Sequence, residues 1–108
     1  MNDTPTAGQV ADVLPCTSHA STWGEEVYLE MPVKAHLDDD PQQVVDPGTI
    51  CYWVQGSSLA VPYGPTPISE EGECRLVTAV NVIGKLAGDP RALATVKPGE
   101  SITVESVE

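Results

Sequence analysis

Aromatic rings, a pair of adjacent carboxylates and one isolated amide are the side chains of this sequence best suited to chemistry. Trp23, Tyr52, Trp53 and Tyr63 are four of the five rings in a chain with two Trp, three Tyr and no Phe. Each offers a large apolar face with a polar edge, so together they could line a pocket for a small molecule or a peptide segment. The plainer role for any one of them is core or rim packing. Tyr52 and Trp53 are neighbours on a strand-like run and face opposite sides, so at most one points inward. Glu25 and Glu26 are divided between faces in the same way. A carboxylate held beside Trp23 would lose water, titrate at raised pH and suit general acid or base work. The alternative is a solvated strand glutamate. Asn81 interrupts the apolar run 76–86 and could hydrogen-bond a ligand or the backbone of a loop. Pro65 and Thr66 lie in the Tyr63-Gly64-Pro65-Thr66-Pro67 segment, which cannot continue a ladder because each Pro lacks an N–H.

Other chemistries find no support. His19 and His36 have no metal-ligand spacing to each other or to a cysteine. Asp38, Asp39 and Asp40 are consecutive, so their carboxylates diverge, and no calcium-loop pattern follows them. No phosphate-binding, dinucleotide or nucleophile-elbow motif occurs. Cys16, Cys51 and Cys74 are too few and too widely spaced for a disulfide framework and include no C-x-x-C pair. Neither a metal nor a cofactor is expected, and no residue is assigned a catalytic role.

Charge narrows the partners. Sixteen Asp and Glu against five Lys and Arg give a formal net charge of -11. Nucleic acid is excluded as a partner, since polyanion binding needs clustered Lys and Arg. Few Lys, no Phe and abundant Asp, Glu, Ala and Val resemble the composition of a salt-accumulating halophile, where short screening lengths make self-repulsion cheap. No apolar run is long enough to span a membrane, and the N-terminus has no signal pattern. A cytoplasmic location is the expectation. At 108 residues with 41% hydrophobic side chains, the chain reads as a single domain over 1–108.

The elements that must position these groups are mostly strands. Thr4-Pro5-Thr6 marks a helix start, with the helix running over 6–14 and ending at Pro15. From Glu26 to Met31 the residues alternate, with Val27, Leu29 and Met31 on one side and Glu26, Tyr28 and Glu30 on the other. Residues 49–54 and 58–63 form a hairpin around Gln55-Gly56-Ser57. Residues 76–86 are a long strand. Asp89-Pro90 caps a short helix to Val96, and residues 101–107 close the chain as a strand. Arg75 is expected to pair with the preceding acids, and Arg91 to face solvent.

Five segments, taken in order, resemble the small prokaryotic cyclophilin-like barrel family. They are Thr22-Trp23-Gly24-Glu25-Glu26, Pro47-Gly48 leading to Cys51-Tyr52-Trp53, Tyr63-Gly64-Pro65-Thr66-Pro67, Val80-Asn81-Val82-Ile83-Gly84 and Lys97-Pro98-Gly99-Glu100. The resemblance implies a mainly β fold: a mostly antiparallel β-barrel with one or two short helices. Family members usually begin with a hairpin ahead of the first helix, whereas this chain begins almost at that helix. A strand borrowed from another copy, and so a homo-oligomer, is one expectation. Where the family tends to have Pro-Pro-Gly after the Tyr-Trp pair, this chain has Val54-Gln55-Gly56.

True cyclophilins carry a Phe-His-Arg type strand motif that this sequence lacks, and its arginines are only Arg75 and Arg91. Fold alone does not transfer an activity. The expected function is therefore binding of a small molecule or peptide without catalysis. Its ligand-binding residues are Trp23, Glu25, Tyr52, Trp53, Tyr63, Pro65, Thr66 and Asn81. The alternative is a peptidyl-prolyl isomerase with an unconventional site.

Overall fold

The computed structural model describes residues 4–105. The chain opens with helix α1, Pro5–Asp12, capped by Thr4, whose Oγ1 accepts the Ala7 N–H at 3.2 Å. Pro5 sits at the first helical position, where a missing N–H costs nothing. Seven strands follow: β1 Cys16–Thr22, β2 Glu26–Glu30, β3 Gln42–Val45, β4 Thr49–Trp53, β5 Ser58–Pro62, β6 Cys74–Lys85 and β7 Ser101–Val104. A short 3-10 helix, Pro90–Thr95, lies between β6 and β7 and is capped by Asp89. No helix among the described residues is long and apolar enough to cross a membrane.

The strands form one antiparallel sheet in the order β3-β6-β4-β5-β2-β1-β7. The mainly β, antiparallel cast with two short helices is as expected, though the sheet does not close on itself. β3 and β7 end the sheet without pairing to each other. Both have only four residues, and the β3–β6 register shifts between Gln42 and Val44. Short, irregular edges offer little ladder from which to close. The sheet is nevertheless curled: Ile102 and Val104 of β7 line the same cavity, of 410 Å³, as Ile50 of β4 and Ile83 of β6.

Cross-strand register assigns every side chain to a face. Leu29, Leu59 and Tyr52 are directly opposite one another on β2, β5 and β4 and point into the concave side. There they pack with Ala7 and Val10 of α1, with Met31, Val33 and Ala35, and with Ile83. Tyr28, Ala60 and Cys51 form the next row and point outward. Period-two alternation thus leaves a second, smaller apolar cluster of Cys51, Leu76 and Val80 on the outer face, with Val45 and Trp53 against it.

Sequence periodicity located the β4–β5 hairpin, β2, β6 and both helices, with ends differing by a few residues. It missed β1 and β3. β1 is Cys-Thr-Ser-His-Ala-Ser-Thr, with only Ala20 fully buried, so it shows no hydrophobic alternation. β3 is an edge strand of Gln42, Gln43, Val44 and Val45 with no buried residue. The final strand ends at Val104, with Glu105 outside it, and positions 106–107 of its expected extent lie outside the described residues.

Candidate functional site

The outer face carries an open pocket of 210 Å³ lined by Trp23, Glu26, Tyr28, Trp53, Ala60, Leu76, Val77 and Val80. Strand β2 contributes Glu26 and Tyr28 from alternate positions, β4 contributes Trp53, β5 Ala60, and β6 the remaining aliphatic wall. Tyr28 and Trp53 meet with ring centroids 6.1 Å apart and planes at 88°, a favourable edge-to-face arrangement. Val77 stands at the rim, 53% exposed.

Trp23 reaches this pocket through backbone constraints. Its N–H donates to the Glu26 carbonyl at 3.1 Å, closing the turn between β1 and β2. Gly24, at φ +60, lies against residues 65–67: a Cβ there would sit 2.9 Å from Thr66 Cα and 2.7 Å from Pro67 Cδ. Only a residue without a side chain fits both the left-handed backbone and the close approach. The Glu25 N–H donates to the Pro65 carbonyl at 2.9 Å, and the Glu25 carbonyl accepts from Tyr63 N–H at 2.8 Å. Thr66 is itself held by a cluster in which Ser69 Oγ accepts the N–H groups of Thr66 and Arg75, each at 2.9 Å, while Thr66 Oγ1 donates to the Arg75 carbonyl.

Two buried polar atoms of residues that line this pocket have no hydrogen-bond partner: Glu26 Oε1 and Trp53 Nε1. Buried polar atoms are nearly always satisfied, so each orphan needs an explanation. Glu26 is only 6% exposed, and burial pushes its carboxyl up to about 7. The carboxyl also acts on its neighbour: the Cys51 thiol is pushed up to about 12, first by burial and then by the charges of Glu26 and Cys74. The pocket therefore combines apolar and aromatic walls with a carboxyl that can gain or lose a proton near neutrality.

The eight residues singled out in the sequence are distributed over several environments. Trp23 and Trp53 come together in the pocket. Tyr52 points to the core, where it is fully buried and its hydroxyl donates to the Val33 carbonyl at 2.5 Å. Glu25 turns away from the pocket and pairs with Arg91 at 3.0 Å, and that guanidinium lies 5.2 Å from the centroid of the Tyr63 ring. Arg91 is thus paired, not simply solvated, while Arg75 pairs with Glu73 at 2.7 Å. Pro65 and Thr66 hold the Trp23 turn. Asn81 is 1% exposed on the concave side. Its Nδ2 donates to Thr6 Oγ1 at 2.8 Å and the His36 carbonyl at 2.9 Å, and its Oδ1 accepts the Asp38 N–H at 2.7 Å. It fastens α1 and the segment before β3 to β6.

Sequence reasoning missed Tyr28 and the aliphatic wall of β6, and it favoured Glu25 over Glu26. The alternation of Glu26 and Tyr28 was the available signal: residues two apart on a strand share a face. What the sequence does not show is that this nominally polar face is itself covered by Trp23 and Trp53.

A family profile described as cyclophilin-like matches residues 1–105. Among solved structures, the solution structure of a hypothetical protein from Archaeoglobus fulgidus is similar, with a TM-score of 0.75 and 36% identity. That alignment covers 93% of this chain and 76% of the other. No curated protein matches the chain.

Proposed function

Given that this chain belongs to the cyclophilin-like family, we propose that it is a binding domain whose outer-face pocket holds a small molecule or a peptide side chain. The observation that carries this reading is the pair of unpartnered buried atoms, Glu26 Oε1 and Trp53 Nε1, of residues that line an open pocket with three aromatic walls. Leaving such groups unpaired costs about 1–3 kcal/mol each, which a ligand supplying both partners would recover. Ligand sites characteristically combine apolar walls with a few polar groups of this sort.

The isomerase alternative gains nothing from this geometry. Arg75 pairs with Glu73 and Arg91 with Glu25, and neither lines the pocket. A cytoplasmic, salt-accumulating setting fits the net charge of -11 and the three free cysteines.

A thermal-shift screen over metabolites and proline peptides, in low and molar salt, tests the binding reading. Hits should be lost in Val77→Trp, which fills the mouth from an exposed position, and in Trp23→Leu. A flat screen on folded protein, or hits indifferent to both substitutions, refutes the site.

A further inference from the structure

The pocket's composition restricts the charge of its ligand. Trp23, Tyr28 and Trp53 contribute three rings around 210 Å³, and the planes of two of them stand at 88°, as adjoining walls of a box do. Aromatic faces carry negative potential and attract cations, more strongly when water is excluded. The one ionisable carboxyl in the lining is Glu26, and no Lys or Arg lines the pocket to neutralise it. An anion would meet this carboxylate and a chain of net charge -11. A hard metal ion would find one carboxylate and apolar walls, too few oxygens to replace its hydration shell. A weakly hydrated organic cation suits both the rings and the carboxylate. The volume holds about seven waters at roughly 30 Å³ each, so it admits a headgroup while the rest of the ligand passes out by Val77.

We propose that the pocket takes an organic monocation, an alkylated ammonium group, with its nitrogen toward Glu26 and its alkyl groups against Trp23, Tyr28 and Trp53. This assignment rests on the binding-domain reading above and names its ligand class. Proton release follows from it. Without ligand the Glu26 carboxyl titrates at about 7; a cation favours the ionised form, so binding near pH 6 expels a proton. The other titratable groups around Glu26 are Tyr28 on its own strand, Cys51 of β4 and Cys74 beside Cys51 on β6. Both of these thiols are pushed upward and stay neutral in this range. Glu25, next in sequence, is occupied by Arg91 on the other side.

The test is calorimetric titration of the full chain with choline and with its neutral isostere 3,3-dimethyl-1-butanol. Titrations are run at pH 6 in two buffers of different ionisation enthalpy and again at pH 8, all at one salt concentration. Choline is expected to bind at least about tenfold more tightly than the isostere, to release a proton at pH 6 and to bind more tightly at pH 8. Glu26→Gln should reduce the preference and abolish the proton release, with its folding checked by urea unfolding, and Trp23→Leu should weaken choline. Equal affinity for the two probes, or a choline preference undiminished in Glu26→Gln, overturns the cation assignment. So does absence of choline binding at millimolar concentration. If the metabolite screen still yields neutral ligands sensitive to Val77→Trp, the binding-domain reading survives that failure; if it is flat as well, both fall.

Discussion

Replacing Glu26 by Gln should stabilise the protein at pH 8 and change it far less at pH 5. The carboxyl is 6% exposed and lacks a partner for Oε1, and burial raises its titration from the ordinary 4.5 to about 7. The folded state therefore holds a proton that the unfolded chain has released between these values. Stability from this group is fully present below about 4.5 and is lost as pH rises through about 7. At 1.4 kcal/mol per pH unit, the interval corresponds to a ceiling of about 3 kcal/mol. Water at the open mouth screens the charge, so a gain of about 1–3 kcal/mol is expected. Glutamine has the shape of the protonated acid and cannot ionise, so the variant should keep its pH 5 stability while the parent loses it. Urea unfolding of both proteins at half-unit steps from pH 4.5 to 8 measures the difference directly. Comparing parent with variant cancels the titration of both histidines. In heat the gap at pH 8 should be of the order of 10 °C. Two parallel stability curves, or a variant weaker than its parent at pH 8, would refute a buried, unpaired carboxylate.

Three further outcomes are expected. Asn81→Ala removes three hydrogen bonds made by a 1% exposed side chain, so urea unfolding should show a loss of about 3 kcal/mol, with the outer pocket unaffected in ligand titration. Gly24→Ala combines φ +60 with a Cβ 2.9 Å from Thr66 Cα; a loss of about 2 kcal/mol or more is expected, together with altered Trp fluorescence as Trp23 is displaced. Cys51 and Cys74 are 0% and 3% exposed with thiols pushed up by burial. A thiol reagent should therefore label Cys16 first in the native protein and the other two only on unfolding.

How much was legible in the sequence depended on whether a signal was local. The β4–β5 hairpin was, because a Gln-Gly-Ser turn sits between two apolar runs and the register follows from it. The capping of both helices was also local, a hydroxyl or carboxylate placed before Pro. β1 was not legible, because its seven residues are mostly small and polar and owe their conformation to ladders with β2 and β7. At the candidate site, Trp23 and Trp53 were picked out by residue type. The choice between Tyr52 and Trp53 needed the sheet's inside and outside to be known. The choice between Glu25 and Glu26 turned on Arg91, which is 66 residues away in sequence from Glu25. Asn81 stood out as a polar residue in an apolar strand, but its partners Thr6, His36 and Asp38 come from two other parts of the chain.

The irregular stretch between β2 and β3 covers the concave face of the open sheet, with Val33 and Ala35 buried in the core beneath it. Four side chains hold it there: Tyr52 through the Val33 carbonyl, Asn81 through His36 and Asp38, Gln9 through the Lys34 carbonyl and Thr6 through the Asp38 carboxylate. The β2–β5 and β4–β5 strands are instead joined by continuous backbone ladders. Such a construction has two tiers of cohesion. The flap can detach by breaking a few side-chain bonds while the ladders stay intact, so its amides should exchange with solvent through a partial opening of lower free energy than global unfolding. Apart from Trp23 in the β1–β2 turn, the walls of the outer pocket stand on strands β2, β4, β5 and β6, so a ligand there would find most of them in place even while the opposite face of the sheet breathes.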